Sequence, residues 1–127
     1  MKFHLNLNVK PAPFELHYED ILLFEGSCFS DHIFENLKAL NLPVFSNTFG
    51  NIYHPQAINQ ILLSVLNQEQ IPTASYISRD SDRYCSFYTH GKINACDVAT
   101  LKQTLEQLQH KQYQILQKEG GNIASYK

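Results

Sequence analysis

An unbroken apolar run, ILLF at residues 21–24, leaves few folds open to this chain. A short run without a polar residue is typical of a strand buried on both faces, which in α/β proteins is usually a central parallel strand. Gly26, Ser27 and Cys28 then turn the chain sharply, and from Asp31 onward apolar residues recur at helical spacing. These residues predict a strand, a tight turn and a helix whose first unpaired N–H groups face the carboxyl edge of a sheet.

The residues after this helix predict a second parallel strand. Asn41 is a suitable helix end, and LPVF at residues 42–45 is typical of a short strand with its proline at the start. A polar loop, SNTFGN at residues 46–51, follows that strand. Because a β-α-β crossover is right-handed, this loop is expected at the same sheet edge as the turn at residues 26–28, so that the two line one crevice.

The middle of the chain predicts a helix, a loop and a strand. Pro55 suits the first turn of a helix, and apolar residues continue at helical spacing to Leu66. Residues 68–83 are polar and irregular, which predicts a solvated loop. Residues 84–90 are rich in strand-forming side chains, and Gly91 is placed to turn the chain after them.

A long helix is predicted from Asp97, as its N-cap, to about Lys118. Its single apolar stripe, which Gln112 interrupts, is more typical of a helix packed on its own domain than of a coiled coil. Residues 1–19, with two prolines, predict an extended arm, and residues 120–127 a tail. The 127 residues are therefore expected to form a single α/β domain with its core in residues 20–119.

Composition excludes several classes of function. The net charge is −2, with basic and acidic residues spread along the chain, so a nucleic-acid partner is not expected. No apolar stretch approaches the roughly 20 residues of a membrane span, and the N-terminus lacks the apolar core of a signal peptide, so the expected location is cytoplasmic. Cys28, Cys85 and Cys96 follow no metal-binding spacing and are expected as reduced thiols, with no metal and no cofactor.

Three segments resemble motifs of the GSCFA family, a group of bacterial proteins placed with the SGNH (GDSL-type) hydrolases. They are GSCF at residues 26–29, NTFGNIYHP at residues 47–55 and SFYTH at residues 86–90. They occur in the family's order and cover most of the chain. Three residues depart from the family's pattern, in which proline, asparagine and histidine stand at the positions of Thr48, His54 and Thr89.

The resemblance implies a fold and the extent of the domain. An SGNH-type domain is a three-layer α/β/α, flavodoxin-like structure with a mainly parallel sheet. The family is expected to continue with a further strand, a segment containing tryptophan and the rest of the hydrolase core, and this chain has no tryptophan. It is therefore interpreted as the N-terminal portion of such a domain, truncated before the core is complete.

The resemblance also implies a nucleophile. When GSCF is laid on the G-D-S-L motif, Cys28 takes the position of the nucleophilic serine and Ser27 that of the aspartate. A thiol at a helix N-terminus is favoured as the thiolate and is a strong nucleophile near neutral pH. Two alternatives remain open, namely that Ser27 is the nucleophile and that Cys28 is only a small buried residue in an apolar turn.

The other implied site residues are those that stabilise an oxyanion and supply a base. Gly50 matches the glycine whose N–H binds the oxyanion, although a glycine needed only for the loop backbone is about as common. Asn47 and Asn51 could donate side-chain hydrogen bonds, although loop asparagines more often bond their own backbone. SGNH enzymes take their base from a C-terminal histidine, which is expected beyond the residues present here. Only His54 and His90 are expected within reach of the crevice, where capping or surface roles are more common than catalysis.

The residues and the resemblance together give two hypotheses. The first is a GSCFA-type hydrolase or acyltransferase acting on a small ester or acyl substrate, truncated here and inactive alone. The second is a non-enzymatic binding or interaction module in which the turn at residues 26–28 is structural. Because the chain would lack half a sheet, an exposed apolar strand edge is also expected to cause self-association.

Overall fold

The computed structural model describes residues 8–118, which form two small sheets and three helices. Part of the predicted arm and the whole predicted tail lie outside these residues. The elements in chain order are β1 (Leu22–Phe24), α1 (Cys28–Ala39), β2 (Val44–Ser46), α2 (Pro55–Leu66), a 3₁₀ turn (Thr73–Ser75), β3 (Tyr76–Asp80), β4 (Arg83–Ser86), β5 (Asn94–Ala95) and α3 (Val98–Lys118).

The first half of the chain is the predicted β-α-β unit. β1 and β2 are parallel, with Leu22 opposite Val44 and Phe24 opposite Ser46. Helix α1 joins them and begins at Cys28, three residues before the first residue that the apolar spacing indicated, because Ser27 caps it. The helix ends where Asn41 takes a left-handed backbone with φ of 58°. The strand, turn and helix predicted from residues 21–40 are confirmed.

The prediction that the first strand is buried on both faces and central is wrong for the described residues. All three residues of β1 are half-buried, and β1 pairs with β2 alone within residues 8–118. An apolar groove of about 550 Å³ is lined by residues 21–24, by residues of the arm such as Leu16 and Tyr18 and by Leu37 and Leu42. The apolar run therefore lines a groove among the described residues.

The second sheet is antiparallel, in the order β3-β4-β5, and it corrects two predictions. Residues 76–80, assigned to a solvated loop, form β3, and the strand expected at residues 84–90 ends at Ser86 and is followed by a turn. The sequence did not predict β3 because its side chains are mostly exposed and polar and show no apolar pattern. The strand is instead stabilised by its pairing with β4. The chain is thus mixed α/β, with two parallel strands and a separate antiparallel sheet.

The core lies between α2, α3 and the antiparallel sheet, and it reaches into the loop after β2. Its buried members are Phe49, Ile52, Ala57, Ile61, Val65, Ile71, Leu101 and Leu105. Leu101 and Leu105 are at most 1% exposed, which confirms that α3 packs on its own domain. Phe49 is completely buried, so the loop between β2 and α2 is held in place by the core.

Candidate functional site

The turn after β1 and the loop after β2 meet at one sheet edge, as the crossover predicted. The backbone N–H of Ile52 donates to the Gly26 carbonyl at 2.8 Å, and the Gly26 N–H donates to Asn47 Oδ1 at 2.9 Å. The Asn47 N–H in turn donates to the Phe24 carbonyl at 2.9 Å. These three bonds fix the turn that carries Ser27 and Cys28 against the loop that carries Gly50.

Cys28 is the first residue of α1 and is exposed to solvent. Ser27, the N-cap, accepts a hydrogen bond from the Phe29 N–H at 3.3 Å through its Oγ, and its carbonyl accepts one from the Ser30 N–H. The Cys28 N–H has no partner among the described residues and is one of the orphan donors of the helix N-terminus. The prediction that Cys28 might be a buried residue of the turn is therefore wrong, while Ser27 has a structural role in capping.

A polar network joins the first turn of α1 to the loop after β2. Asn47 Nδ2 donates to Asp31 Oδ1 at 2.6 Å and to Asn51 Oδ1 at 3.1 Å, and Ser46 Oγ donates to the same Asp31 oxygen at 3.0 Å. The hydrogen bonds from Asn47, followed by those from Ser46 and Asn51, lower the pKa of Asp31. Both amide hydrogens of Asn47 are thereby engaged, so in this arrangement Asn47 has no side-chain donor left for an oxyanion.

The backbone N–H of Gly50 is also hydrogen-bonded within the structure. Its N–H donates to the Asn47 carbonyl at 2.8 Å, and its backbone is left-handed with φ of 77°. A Cβ at this position would overlap the Cβ of His90, so the glycine permits the loop to lie directly against that histidine. The N–H that the resemblance assigned to an oxyanion thus already closes a turn of the loop.

The two candidate histidines lie in different settings. His90 is half-buried on Gly50; its N–H donates to the Phe49 carbonyl at 3.0 Å and its Nδ1 accepts from the Lys92 N–H at 3.1 Å. A neutral His90 therefore carries its proton on Nε2. His54 is the exposed N-cap of α2 and makes no side-chain capping bond. Within residues 8–118 neither ring is hydrogen-bonded to Cys28 or Ser27.

One titratable residue of this region was missed from the sequence. Glu25 stands between β1 and Gly26, and Gln112 of α3 donates to its Oε1 at 3.1 Å. Burial raises the pKa of Glu25 to about 7, although hydrogen bonds from Gln112 and from the backbone of Thr48 act to lower it. The signal in the sequence was Gln112 itself, a polar residue on an apolar stripe, and that residue is 1% exposed.

Among the side chains that the structure describes, no cluster of three or more His, Cys, Asp or Glu residues could hold a metal ion. None of the described helices is both long and apolar enough to cross a bilayer.

The three motif segments meet around Phe49. GSCF is bonded to the second segment through Gly26 and Ile52, and that segment is bonded to SFYTH through Phe49 and His90. A search of curated proteins and of solved structures gave no significant match. The family model described as "GSCFA family" matches residues 21–121, which is most of the 127 residues. The chain therefore belongs to the GSCFA family.

Proposed function

We propose that this chain carries the nucleophile of an ester hydrolase or acyltransferase, within an SGNH-type three-layer domain. The observation that carries the proposal is the position of Cys28, exposed at the first residue of α1 with an unpartnered N–H beside its thiol. A nucleophile at a helix N-terminus meets the developing oxyanion with a donor already oriented toward it. The family match supports the same reading.

The proposed reaction has two steps. The Cys28 thiolate attacks the acyl carbonyl carbon, the carbon–oxygen bond to the leaving alcohol breaks, and that alcohol departs with a proton while a thioester forms at Sγ. Water, or a second alcohol in a transferase, then attacks the thioester and releases the acid or the new ester together with the free thiol. The Cys28 N–H stabilises the oxyanion in both steps.

The proposal assigns only part of the catalytic machinery to the described residues. No described histidine is hydrogen-bonded to Cys28, and the proposal therefore names no base. Ser27 remains the second candidate nucleophile. Its hydroxyl oxygen accepts the capping hydrogen bond, so the hydroxyl hydrogen is still able to be donated to a base. Its capping role makes Cys28 the stronger assignment.

A second candidate function, a binding or interaction module, rests on a different observation. The Gly50 N–H and both amide hydrogens of Asn47 are already bonded inside the loop. In an interaction module these residues only shape the surface, and Cys28 has no special reactivity. The two functions therefore differ in what they predict for the thiol.

Acylation by an activated ester, p-nitrophenyl acetate, separates the two. Cys96 is the matched control because it is also exposed, whereas Cys85 is buried. The enzyme proposal expects peptide mass spectrometry to show Cys28 acetylated at least about tenfold faster than Cys96 in the native chain, with the difference lost in urea. Cys28→Ala should abolish the fast phase and Cys96→Ala should leave it. Equal rates at the two thiols would overturn the enzyme proposal and leave the interaction module.

A further inference from the structure

Two buried oxygen atoms at the end of β1 lack hydrogen-bond partners, and they belong to residues that are already bonded to each other. Gln112 Nε2 donates to Glu25 Oε1 at 3.1 Å. The remaining oxygen of each group, Glu25 Oε2 and Gln112 Oε1, is buried with no partner among the described residues. Each is an acceptor when Glu25 is ionised, so an ionised pair leaves both unsatisfied.

A single proton on Glu25 would give both of these oxygens a hydrogen-bond partner. A buried acceptor without a donor destabilises the folded chain, and a buried carboxylate adds the cost of its charge. A neutral carboxylic acid presents one donor and one acceptor in a plane, as a primary amide does, and the two groups can pair through two antiparallel hydrogen bonds. We infer that Glu25 holds a proton on Oε2 and donates it to Gln112 Oε1, closing an acid–amide ring between the end of β1 and α3.

The electrostatic surroundings agree with a neutral Glu25. Burial raises its pKa to about 7 against the lowering effect of the hydrogen bonds from Gln112 and the Thr48 backbone. The titratable side chains described on the neighbouring segments are Cys28, Asp31, His32, Glu35 and Lys38 on α1, His90 beside Gly50, and Lys102, Glu106, His110, Lys111 and Tyr113 on α3. None of these is among the causes of the shift, so burial sets the proton affinity.

Through the ring, the attachment of α3 to the turn at residues 26–28 depends on pH. When Glu25 loses its proton, Oε2 and Gln112 Oε1 become two acceptors that face each other without a donor, and the attachment of α3 to the end of β1 weakens. Gly26, Ser27 and Cys28 follow Glu25 directly, so this attachment supports the turn that carries the thiol. The inference concerns proton binding and does not depend on the proposed acyl chemistry.

The direct test is a carboxyl titration of the full 127-residue chain by carbon-13 NMR. We expect the Glu25 carboxyl to titrate near 7. This measurement needs no substitution, so it stays informative if a variant fails to fold. Titration of the Glu25 carboxyl near its ordinary value of 4.5 would overturn the inference.

A variant tests whether Glu25 is the group whose proton makes stability depend on pH. Glu25→Gln replaces the acid by an amide, which can form the same two hydrogen bonds with Gln112 at any pH. The wild-type unfolding equilibrium constant should rise roughly tenfold or more between pH 5 and 8, and Glu25→Gln should remove that rise. Glu35→Gln is the matched control and should retain it. A Glu25→Gln protein with the wild-type pH dependence would contradict the ring.

Discussion

The side-chain amide of Asn47 donates to the carboxylate of Asp31 at 2.6 Å, which ties the loop after β2 to the first turn of α1. Asn47 occupies a left-handed backbone position, with φ of 43°, and its Oδ1 also accepts from the Gly26 N–H. One asparagine thus connects the loop, the turn and the helix that carries Cys28. The geometry of the candidate site therefore depends on this residue as well as on the buried Phe49 of the same loop.

Removal of the Asp31 carboxylate should loosen the site. Asp31→Ala leaves the Asn47 amide and the Ser46 hydroxyl without their acceptor, so we expect a loss of about 1–2 kcal/mol in the free energy of unfolding. Urea denaturation measures this loss. Glu35→Ala, on an exposed position of the same helix, is the control and should change stability by less than about 0.5 kcal/mol. An equal effect of the two substitutions would show that the network contributes nothing to stability.

The same carboxylate should affect stability in acid. Because the pKa of Asp31 is lowered in the folded state, its contribution is present above the ordinary value of 3.8 and is lost as the pH falls through the folded value. This sign is opposite to that of Glu25, whose contribution falls as the pH rises from 4.5 to about 7. Denaturation curves for Asp31→Asn should therefore show a smaller loss of stability than wild type on acidification below pH 4. A parallel loss in both proteins would contradict the network's role.

A side chain at position 50 should destabilise the loop. Gly50→Ala meets two penalties, a left-handed backbone and overlap with the Cβ of His90, and we expect a loss of about 2 kcal/mol or more by thermal or urea unfolding. Gly91→Ala is the matched control, since a Cβ there meets only the movable end of the Arg79 side chain. Adding His90→Gly to Gly50→Ala removes the overlap and should recover part of the loss. A Gly50→Ala protein as stable as Gly91→Ala would show that the loop can move away from His90.

The sequence predicted the parts of the fold that local signals encode. The apolar run at residues 21–24, the helical spacing from Asp31 onward and the stop at Asn41 are all local, and the β-α-β unit that they predict is confirmed. β3 was missed because an exposed strand is specified by its partner, and pairing between strands cannot be read from periodicity. The burial of residues 21–24 was overestimated because apolar residues indicate a preference for burial and do not identify the neighbour that provides it.

The candidate site was predictable in its location and only partly in its chemistry. Chain direction and crossover handedness placed the turn and the loop at one edge, and their backbone bonds confirm this placement. The internal hydrogen bonds of the Asn47 side-chain amide and of the Gly50 N–H were not predictable, because they depend on the orientation of single side chains and backbone amides. Glu25 was missed for the same reason: its partner Gln112 is far away in sequence, and only the fold brings them together.

Within residues 8–118 one edge of β1 has no paired strand, and we expect this edge to pair with a second copy of the chain. Leu22 bonds to the Pro43 carbonyl and Phe24 to the Asn47 N–H, so Leu23 between them directs its N–H and C=O to the opposite edge. Within residues 8–118, an apolar groove lined in part by β1 has His17 and Tyr18 as its titratable side chains, and it holds no carboxylate, lysine or arginine that would repel a second copy.

Sedimentation velocity at increasing protein concentration tests this pairing. Wild type should show concentration-dependent dimers, and Leu16→Lys, which places a charge in the groove at a position already 64% exposed, should shift the chain to monomer. Leu40→Lys is the matched control: Leu40 is 70% exposed and lies outside the groove residues, so dimers should persist. Because both leucines are exposed in the folded chain, neither substitution removes a core contact, and a difference between the two reports on the interface. A wild-type protein that stays monomeric at all concentrations, or two lysine variants that dissociate alike, would contradict pairing at this edge.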